Sequence, residues 1–548
     1  MRKCAKNTNP QDVGARPHLI LRKLITITAL LACAFTLAGG AAAADIGVTD
    51  DGGKFAGGGV DAFYARMAAS GLTENVMTVH FNPVNPTGID FQGEVAAAVD
   101  AAQRHGVKLV FAVGTGRART ITRSPFATLQ YLAYLELLLR TFPTVTTVIV
   151  GNEPNQTRFW QPQFTPGCRQ VSGWAYERLL AQAYDTIKAV NPAVRVLGVG
   201  LSPRGNDDCH ARSNISSSPV HFLAGMGAAY RSSGRTAPIM DGLSFHPYPR
   251  FNRDPISRGY TYPNAGVVNL GRIKQAFWDA FEGTGQPTFL EGAVPPAAPP
   301  PPPPVDPPPP PAEPLPAADE PAPALLPPPQ FSLDEVGWQA KEPLAYRKAY
   351  HGRENVPLVS EAQQASIYAQ LVQLANCDPS VASLNYFHLD DERDRDRFQS
   401  GLFRADQTPR PAAAAVAAAI VRDAGTCPTA PLAWRHTSSV VGASARFGLS
   451  RGTLGFTVGA QEEATYSAGV FSAADATDRS SLDRYLARRA SPWTGTFSAR
   501  GTLRAYWKRT IRVPRGLTPG RYVIAVRLRA RFNPDRTTLL VSPAYALR

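Results

Sequence analysis

Between Asp45 and about residue 425, a chain of 548 residues alternates short β-branched runs with amphipathic stretches at helical spacing, eight times over. The strand-like runs fall at 45–49, 75–81, 107–114, 145–151, 195–201, 240–247, 331–336 and 381–388. Helical patterns lie near 60–70, 92–105, 125–141, 172–190, 217–231, 266–283 and 359–375, and an Ala-rich one closes the series at 410–423. Eight strands, each followed by a helix, predict an α/β chain folded as a (β/α)8 TIM barrel. The near-continuous apolar strands suit a parallel sheet covered by helices. The rival, an open doubly wound sheet, would be marked by a nucleotide-binding glycine fingerprint after the first strand, and none is found there.

Two segments depart from this pattern. From Pro295 to Pro329, twenty of thirty-five residues are proline, including Pro299–Pro304 and Pro307–Pro311. Such a run lacks backbone donors and favours extended polyproline II. We read 293–330 as an exposed insertion on the barrel face opposite the active site, a spacer or else a docking arm. After Cys427 the texture becomes β-rich. Runs at Leu503–Val513 and Arg521–Arg531 flank a Pro- and Gly-containing turn at 514–520, and apolar residues alternate from Tyr522 to Arg529. Residues 430–548 are therefore expected to form a small all-β sandwich beside a barrel spanning 45–429.

The chain carries a net charge of +14, which invites a nucleic-acid reading. The charge is not where such a reading needs it. Residues 1–44 carry +5 and residues 430–548 carry +13, which leaves −4 for 45–429. The long middle lacks a basic footprint and any motif for reading bases, so no nucleic-acid partner is expected. The Arg-rich C-terminal region is instead a candidate for contact with acidic glycans or a cell-wall polymer, or simply a solvated basic face. At the N-terminus, Arg22-Lys23 precedes an apolar run from Leu24 to Leu37 and an exit at Ala42-Ala43-Ala44. This is the pattern of a secretory signal over 1–44. The run falls short of the ~20 residues that a membrane span needs. A secreted, extracellular or cell-surface protein with no membrane span is expected.

In a barrel of this kind the chemistry sits where strands end. Strand four runs out through Val150-Gly151-Asn152-Glu153-Pro154-Asn155 and strand seven through Leu333-Asp334-Glu335-Val336-Gly337-Trp338. Both ends bring a carboxylate to one rim, across the mouth from each other. Two carboxyls flanking a bond are what glycoside hydrolysis requires, one held protonated and one ionised. Like charges close together help to create that division of labour. Glu335 has two rivals, Asp334 beside it and Glu291 in the run 287–291. Strand alternation sends Asp334 and Glu335 to opposite faces, and a strand at 287–291 would make nine.

Gly151-Asn152-Glu153-Pro154, His246-Pro247-Tyr248 and Glu335-Val336-Gly337-Trp338, in this order on strands four, six and seven, resemble the clan A glycoside hydrolases, the cellulase-like barrels of the family 5 and family 39 type. The resemblance spans about 45–425. It implies that Glu153 is the acid/base, Glu335 the nucleophile and Asn152 a ligand of the sugar 2-hydroxyl, with His246 and Tyr248 supporting the nucleophile and lining the subsite. The implied reaction is hydrolysis of an O-glycosyl bond in a polysaccharide or oligosaccharide, with retention through a glycosyl-enzyme. No metal and no organic cofactor is implied. The clan's sugar-stacking Trp at the end of strand eight is missing, since that strand ends Tyr386-Phe387-His388. Trp338, Trp160 or Phe387 would have to replace it, and His388 and His80 are further candidates for the pocket. The Arg often found near strand two in family 5 is absent from Val79-His80-Phe81-Asn82.

Behind the leader stand four cysteines, Cys168, Cys209, Cys377 and Cys427, without metal-like spacing. An even number in an exported chain suggests disulfides. The barrel places Cys168 and Cys209 in the loops after strands four and five, and Cys377 and Cys427 after helices seven and eight, so 168–209 and 377–427 are the expected pairs. The competing functional readings are a non-catalytic carbohydrate- or wall-binding barrel and an inverting hydrolase using the same rim.

Overall fold

The computed structural model of the protein describes residues 43–291, 327–423, 434–488 and 497–548. The predicted leader and Pro-rich insertion fall almost wholly outside these residues, as does Cys427. Eight parallel strands close into a barrel in sequence order. They are β1 (Asp45–Thr49), β2 (Glu74–His80), β3 (Lys108–Gly114), β4 (Thr147–Val150), β5 (Arg195–Leu201), β6 (Gly242–Phe245), β7 (Gln330–Val336) and β8 (Val381–Tyr386). Closure comes from β8 pairing with β1, Asp45 opposite Ser383 and Val48 opposite Tyr386.

The covering helices are α1 (Val60–Ala69), α2 (Gln92–Arg104), α3 (Pro125–Thr141), α4 (Ser172–Val190), α5 (Pro219–Ser233), α6 (Leu270–Phe281), α7 (Glu361–Cys377) and α8 (Pro411–Asp423). Local chemistry sets several of their starts. Ser124 and Ser218 each precede a proline at the first helical position and accept a backbone N–H with the side chain, from Phe126 and His221. Proline costs nothing there, because that N–H has no helical partner. Ser360 and Gln363 form a reciprocal capping box at the start of α7. Between strands and helices lies the main apolar core, whereas Val76, Val110, Ile149 and Leu197 form a separate small layer inside the barrel.

Beyond the barrel, β9 (Ser444–Ser450), β10 (Thr453–Gly459) and β13 (Lys508–Arg512) form one antiparallel sheet. A second contains β11 (Ala464–Ser472), β12 (Phe497–Leu503), β14 (Gly520–Ala530) and β15 (Thr537–Val541), with β16 (Tyr545–Leu547) also paired to β14. Phe456 and Val458 of the first sheet share one core with Val470, Ile524, Val526 and Leu528 of the second. The expected strand at 521–531 is β14. The run at 503–513 is not one strand: β12 ends at Leu503 and a turn precedes β13. A helix absent from the sequence reading, α9 (Arg479–Ala487), buries Leu482 and Leu486 against Phe471 and Ala525 on the other face of the second sheet.

This β region packs on the flank of the barrel. Trp278 of α6 stacks on His436 with ring centroids 4.2 Å apart, and Arg536 pairs with Asp279 at 3.2 Å. Glu291, the rival nucleophile, belongs to this contact, where it accepts the backbone N–H of His436 at 2.8 Å. Residues 287–291 are not a strand. Phe289 instead stacks on Phe331 of β7 at 4.5 Å. Among the described residues no helix is long and apolar enough to cross a membrane.

Candidate active site

The chain leaves β4 through Gly151 at φ +82° and reaches Glu153 at φ +38°, a left-handed conformation that is rare for a side-chain-bearing residue. Two contacts hold this turn. The Glu153 N–H donates to the Gly200 carbonyl at 2.8 Å, and the Tyr176 hydroxyl donates to the Val150 carbonyl at 2.5 Å. The same hydroxyl accepts the Val199 N–H at 2.7 Å, so one side chain of α4 ties the ends of β4 and β5 together. The pairing of β5 with β6 slips between Val199 and Leu201. Gly200, at φ +58°, lies in that slip. A Cβ there would stand 3.3 Å from His246 Nε2 and 3.4 Å from Asn152 Cα, so glycine opens the space that both residues occupy.

His246 is the hub of the site. Its ring is buried, with Nδ1 3.1 Å from Glu153 Oε1 and 3.6 Å from Glu335 Oε2, and Nε2 3.3 Å from Asp334 Oδ2. Burial disfavours the charged ring, but the Glu335 and Asp334 carboxylates beside it, with the hydrogen bonds to Asp334 and Glu153, hold its pKa well above the ordinary value. The imidazolium then donates from both nitrogens. Asp334 is also buried, and both its oxygens accept from Ser244 Oγ at 2.8 Å. Glu335 accepts the Tyr248 hydroxyl at 2.9 Å. Burial raises the Glu335 carboxyl to about 7; the imidazolium of His246 opposes that rise, while the charges of Glu153 and Asp334 add to it.

Alternation alone would have kept Asp334 and Glu335 apart. The β7–β8 ladder slips between Leu333 and Val336, and around this irregularity Asp334 meets His246 from inside the barrel while Glu335 meets it from the mouth. Asp334 is thus a buttress of the hub, a role the sequence reading did not give it. Two oxygens lying 3.1 and 3.6 Å from one nitrogen are separated by no more than the sum of those lengths, 6.7 Å, which bounds the gap between Glu153 Oε1 and Glu335 Oε2.

These carboxyls form part of the wall of a cleft of about 900 Å3. Asn152, Tyr248 and Phe387 line it as well, as do Phe398 and Phe251, which the sequence reading missed. Tyr248, Phe387 and Phe398 form an aromatic cluster, with Phe387 and Phe398 centroids 4.9 Å apart. Phe251 is 57 % exposed, enough to offer a ring face to a ligand.

Trp338 does not belong to this wall. It is buried, with its indole N–H donating to the Asp254 carbonyl at 2.9 Å, so the expected sugar platform is a core residue. Trp160 is buried too, edge-on to Tyr176. His388 lies behind Phe387, ring centroids 3.7 Å apart, and burial lowers its pKa to about 4, so the ring is neutral near pH 7. His80 lines a second depression on the same rim rather than the cleft. Cys168 and Cys209 are bridged, Cα atoms 5.5 Å apart, joining the loops after β4 and β5 as expected. Cys377 is also disulfide-bonded; its expected partner, Cys427, lies outside the described residues. Among the described residues, one group of three potential metal ligands stands out, Cys168, Cys209 and His210, and both of its sulfurs are spent in the bridge.

No protein-family model matches the chain. No curated protein matches it either. Solved structures do. A family 39 glycoside hydrolase from the gut symbiont Bacteroides cellulosilyticus WH2 is similar with a TM-score of 0.44 and 16 % identity, over 80 % of this chain and 74 % of that one. GH5_18 from Streptomyces cattleya in complex with GlcNAc is similar with a TM-score of 0.42 and 16 % identity, over 71 % and 82 %. The endo-beta-1,4-mannanase from Thermotoga petrophila gives 0.39 and 11 %, over 91 % and 97 %.

Proposed function

We propose that this protein is an exported retaining glycoside hydrolase that cleaves O-glycosyl bonds of a carbohydrate polymer or oligomer. The observation that carries the reading is the pair Glu153 and Glu335 on one cleft wall, both within 3.6 Å of the same imidazole nitrogen. A carboxylate acting directly as nucleophile belongs with carboxyls ~5–5.5 Å apart, whereas inversion needs ~6.5–9.5 Å to seat a water. The 6.7 Å ceiling between Glu153 Oε1 and Glu335 Oε2 lies below nearly all of the second range and so favours the closer arrangement.

Glu335 attacks the anomeric carbon. The Tyr248 hydroxyl and the His246 imidazolium stabilise its carboxylate and orient the oxygens. Glu153 donates its proton to the leaving oxygen and then, as a carboxylate, deprotonates the water that releases the sugar. Both steps consist of proton transfer and displacement at carbon, so the residues present can supply them. The phenyl faces of Phe387, Phe398 and Phe251 suit the apolar face of a sugar ring. The leader-like segment and the Cys168–Cys209 bridge support export.

Azide rescue tests the assignment. On activated aryl glycosides, Glu335→Ala with azide should yield a glycosyl azide of inverted configuration, and Glu153→Ala one of retained configuration. Wild-type turnover in either variant, or exchanged products, would overturn the roles. Sugar binding without turnover of any aryl glycoside or polysaccharide would leave a binding protein.

A further inference from the structure

Four arginines, Arg158, Arg204, Arg250 and Arg253, line the cleft that holds Glu153 and Glu335, and those two glutamates are its only acids among the described residues. All four are exposed and none takes part in an ion pair. Their contacts are weak or neutral. Arg158 and Arg250 lie over the rings of their neighbours Phe159 and Phe251, and Arg253 donates to the Leu358 carbonyl. A second depression of about 780 Å3 adjoins, lined by Arg117, Arg119 and Arg123. Its one acid, Asp90, accepts from the Asn82 amide, and Arg119 donates to Gln161. One loop borders both depressions, with Gln156, Arg158 and Phe159 facing the first and Gln161 the second. Seven unpaired cations thus surround the mouth of a barrel segment whose own net charge is −4.

Cations gathered along a concave groove repel one another, and an anionic ligand removes that cost while gaining charge-assisted hydrogen bonds. We propose that the substrate is a polyanionic glycan, whose carboxylate or sulfate groups are gripped by these arginines on either side of the cleavage point. The proposal rests on the hydrolase reading and names its substrate class. A sugar polymer is favoured over a nucleic acid because the paired carboxyls and phenyl faces share the groove with the arginines.

The test uses the full chain carrying Glu335→Gln, so that polymer is bound but not cut. Binding is titrated with a polyuronate, its carboxyl-reduced counterpart, a sulfated polysaccharide, its desulfated counterpart and a single-stranded oligonucleotide. At least one acidic glycan is expected to bind about tenfold or more tightly than its neutralised partner, and the preferred acid names the anion. Raising the ionic strength from about 0.05 to about 0.5 M should erase most of that preference. Adding Arg117→Ala, Arg123→Ala, Arg250→Ala and Arg253→Ala should abolish it while the thermal midpoint stays in place. Equal binding of neutralised polymers, a preference that survives the arginine changes, or tighter binding of the oligonucleotide would overturn the proposal. Acidic binding that behaves as expected in a wild-type chain that cleaves no polymer would instead defeat the hydrolase reading and leave the anion groove standing.

Discussion

At the base of the barrel, Glu74 is buried with both oxygens satisfied, one by Asn385 Nδ2 at 2.8 Å and the other by Lys108 Nζ at 2.7 Å. On the periphery, Arg410 is buried between Asp391 and Glu361, with Nε 3.1 Å from the former and Nη1 2.7 Å from the latter. At the mouth, three carboxylates crowd a single imidazole and exposed arginines stand without an ion-pair partner. Charges that serve the fold are matched within the protein, because a buried charge without a partner is too costly to keep. Those at the mouth differ: the three carboxylates share one imidazole, and the arginines of the cleft have no acid beside them. The same residue types thus stand in two settings, set apart by burial and partners together.

The two settings separate when one charged side chain of each is altered and different observables are followed. Glu335→Gln should reduce turnover by about 10^4-fold or more while leaving the denaturation midpoint nearly unchanged, as read by aryl glycoside kinetics and calorimetry. Arg410→Ala should do the reverse. It leaves Asp391 buried without its cation, so denaturant titration should show a loss of ~3–5 kcal/mol, with kcat per folded molecule largely kept.

Replacement of Cys168 and Cys209 by serines should cost ~2–4 kcal/mol and raise KM more than it lowers kcat, because it frees rim loops rather than reacting groups.

The smallest expected effect is a pH shift. The Glu335 carboxyl lies at about 7 and must be ionised to attack, so kcat/KM of the free enzyme should climb as pH rises through that value. Tyr248→Phe removes a hydrogen bond that favours the carboxylate, so the limb should move up by about one pH unit. A limb that moved down, or stayed in place, would separate Tyr248 from the ionisation of Glu335.

Much of the fold was legible because its signals are local. β1, α3 and α4 begin and end where the β-branched run and the helical spacing placed them. β6 and β8 stop short of their apolar runs, at Phe245 and Tyr386, because the chain leaves the sheet there to build the rim. Glu153 and Glu335 were placed on one rim for the same reason, as carboxyls at strand ends, whereas Asn152, His246 and Tyr248 were named only through the family resemblance. What escaped depends on irregularity or convergence. Asp334 reaches the hub around a slip in the β7–β8 register that alternation cannot anticipate. Trp338 follows Glu335 by three residues, yet the chain turns it inward to the Asp254 carbonyl. Phe398 and the unpaired arginines arrive from separate loops, and no short pattern announces where distant loops meet.

The β region abuts the barrel through α6 and Asp279, and among the described residues none beyond Phe398 borders the cleft. Among the described residues the appended sheets border no part of the cleft, so whatever touches them is held away from Glu153 and Glu335.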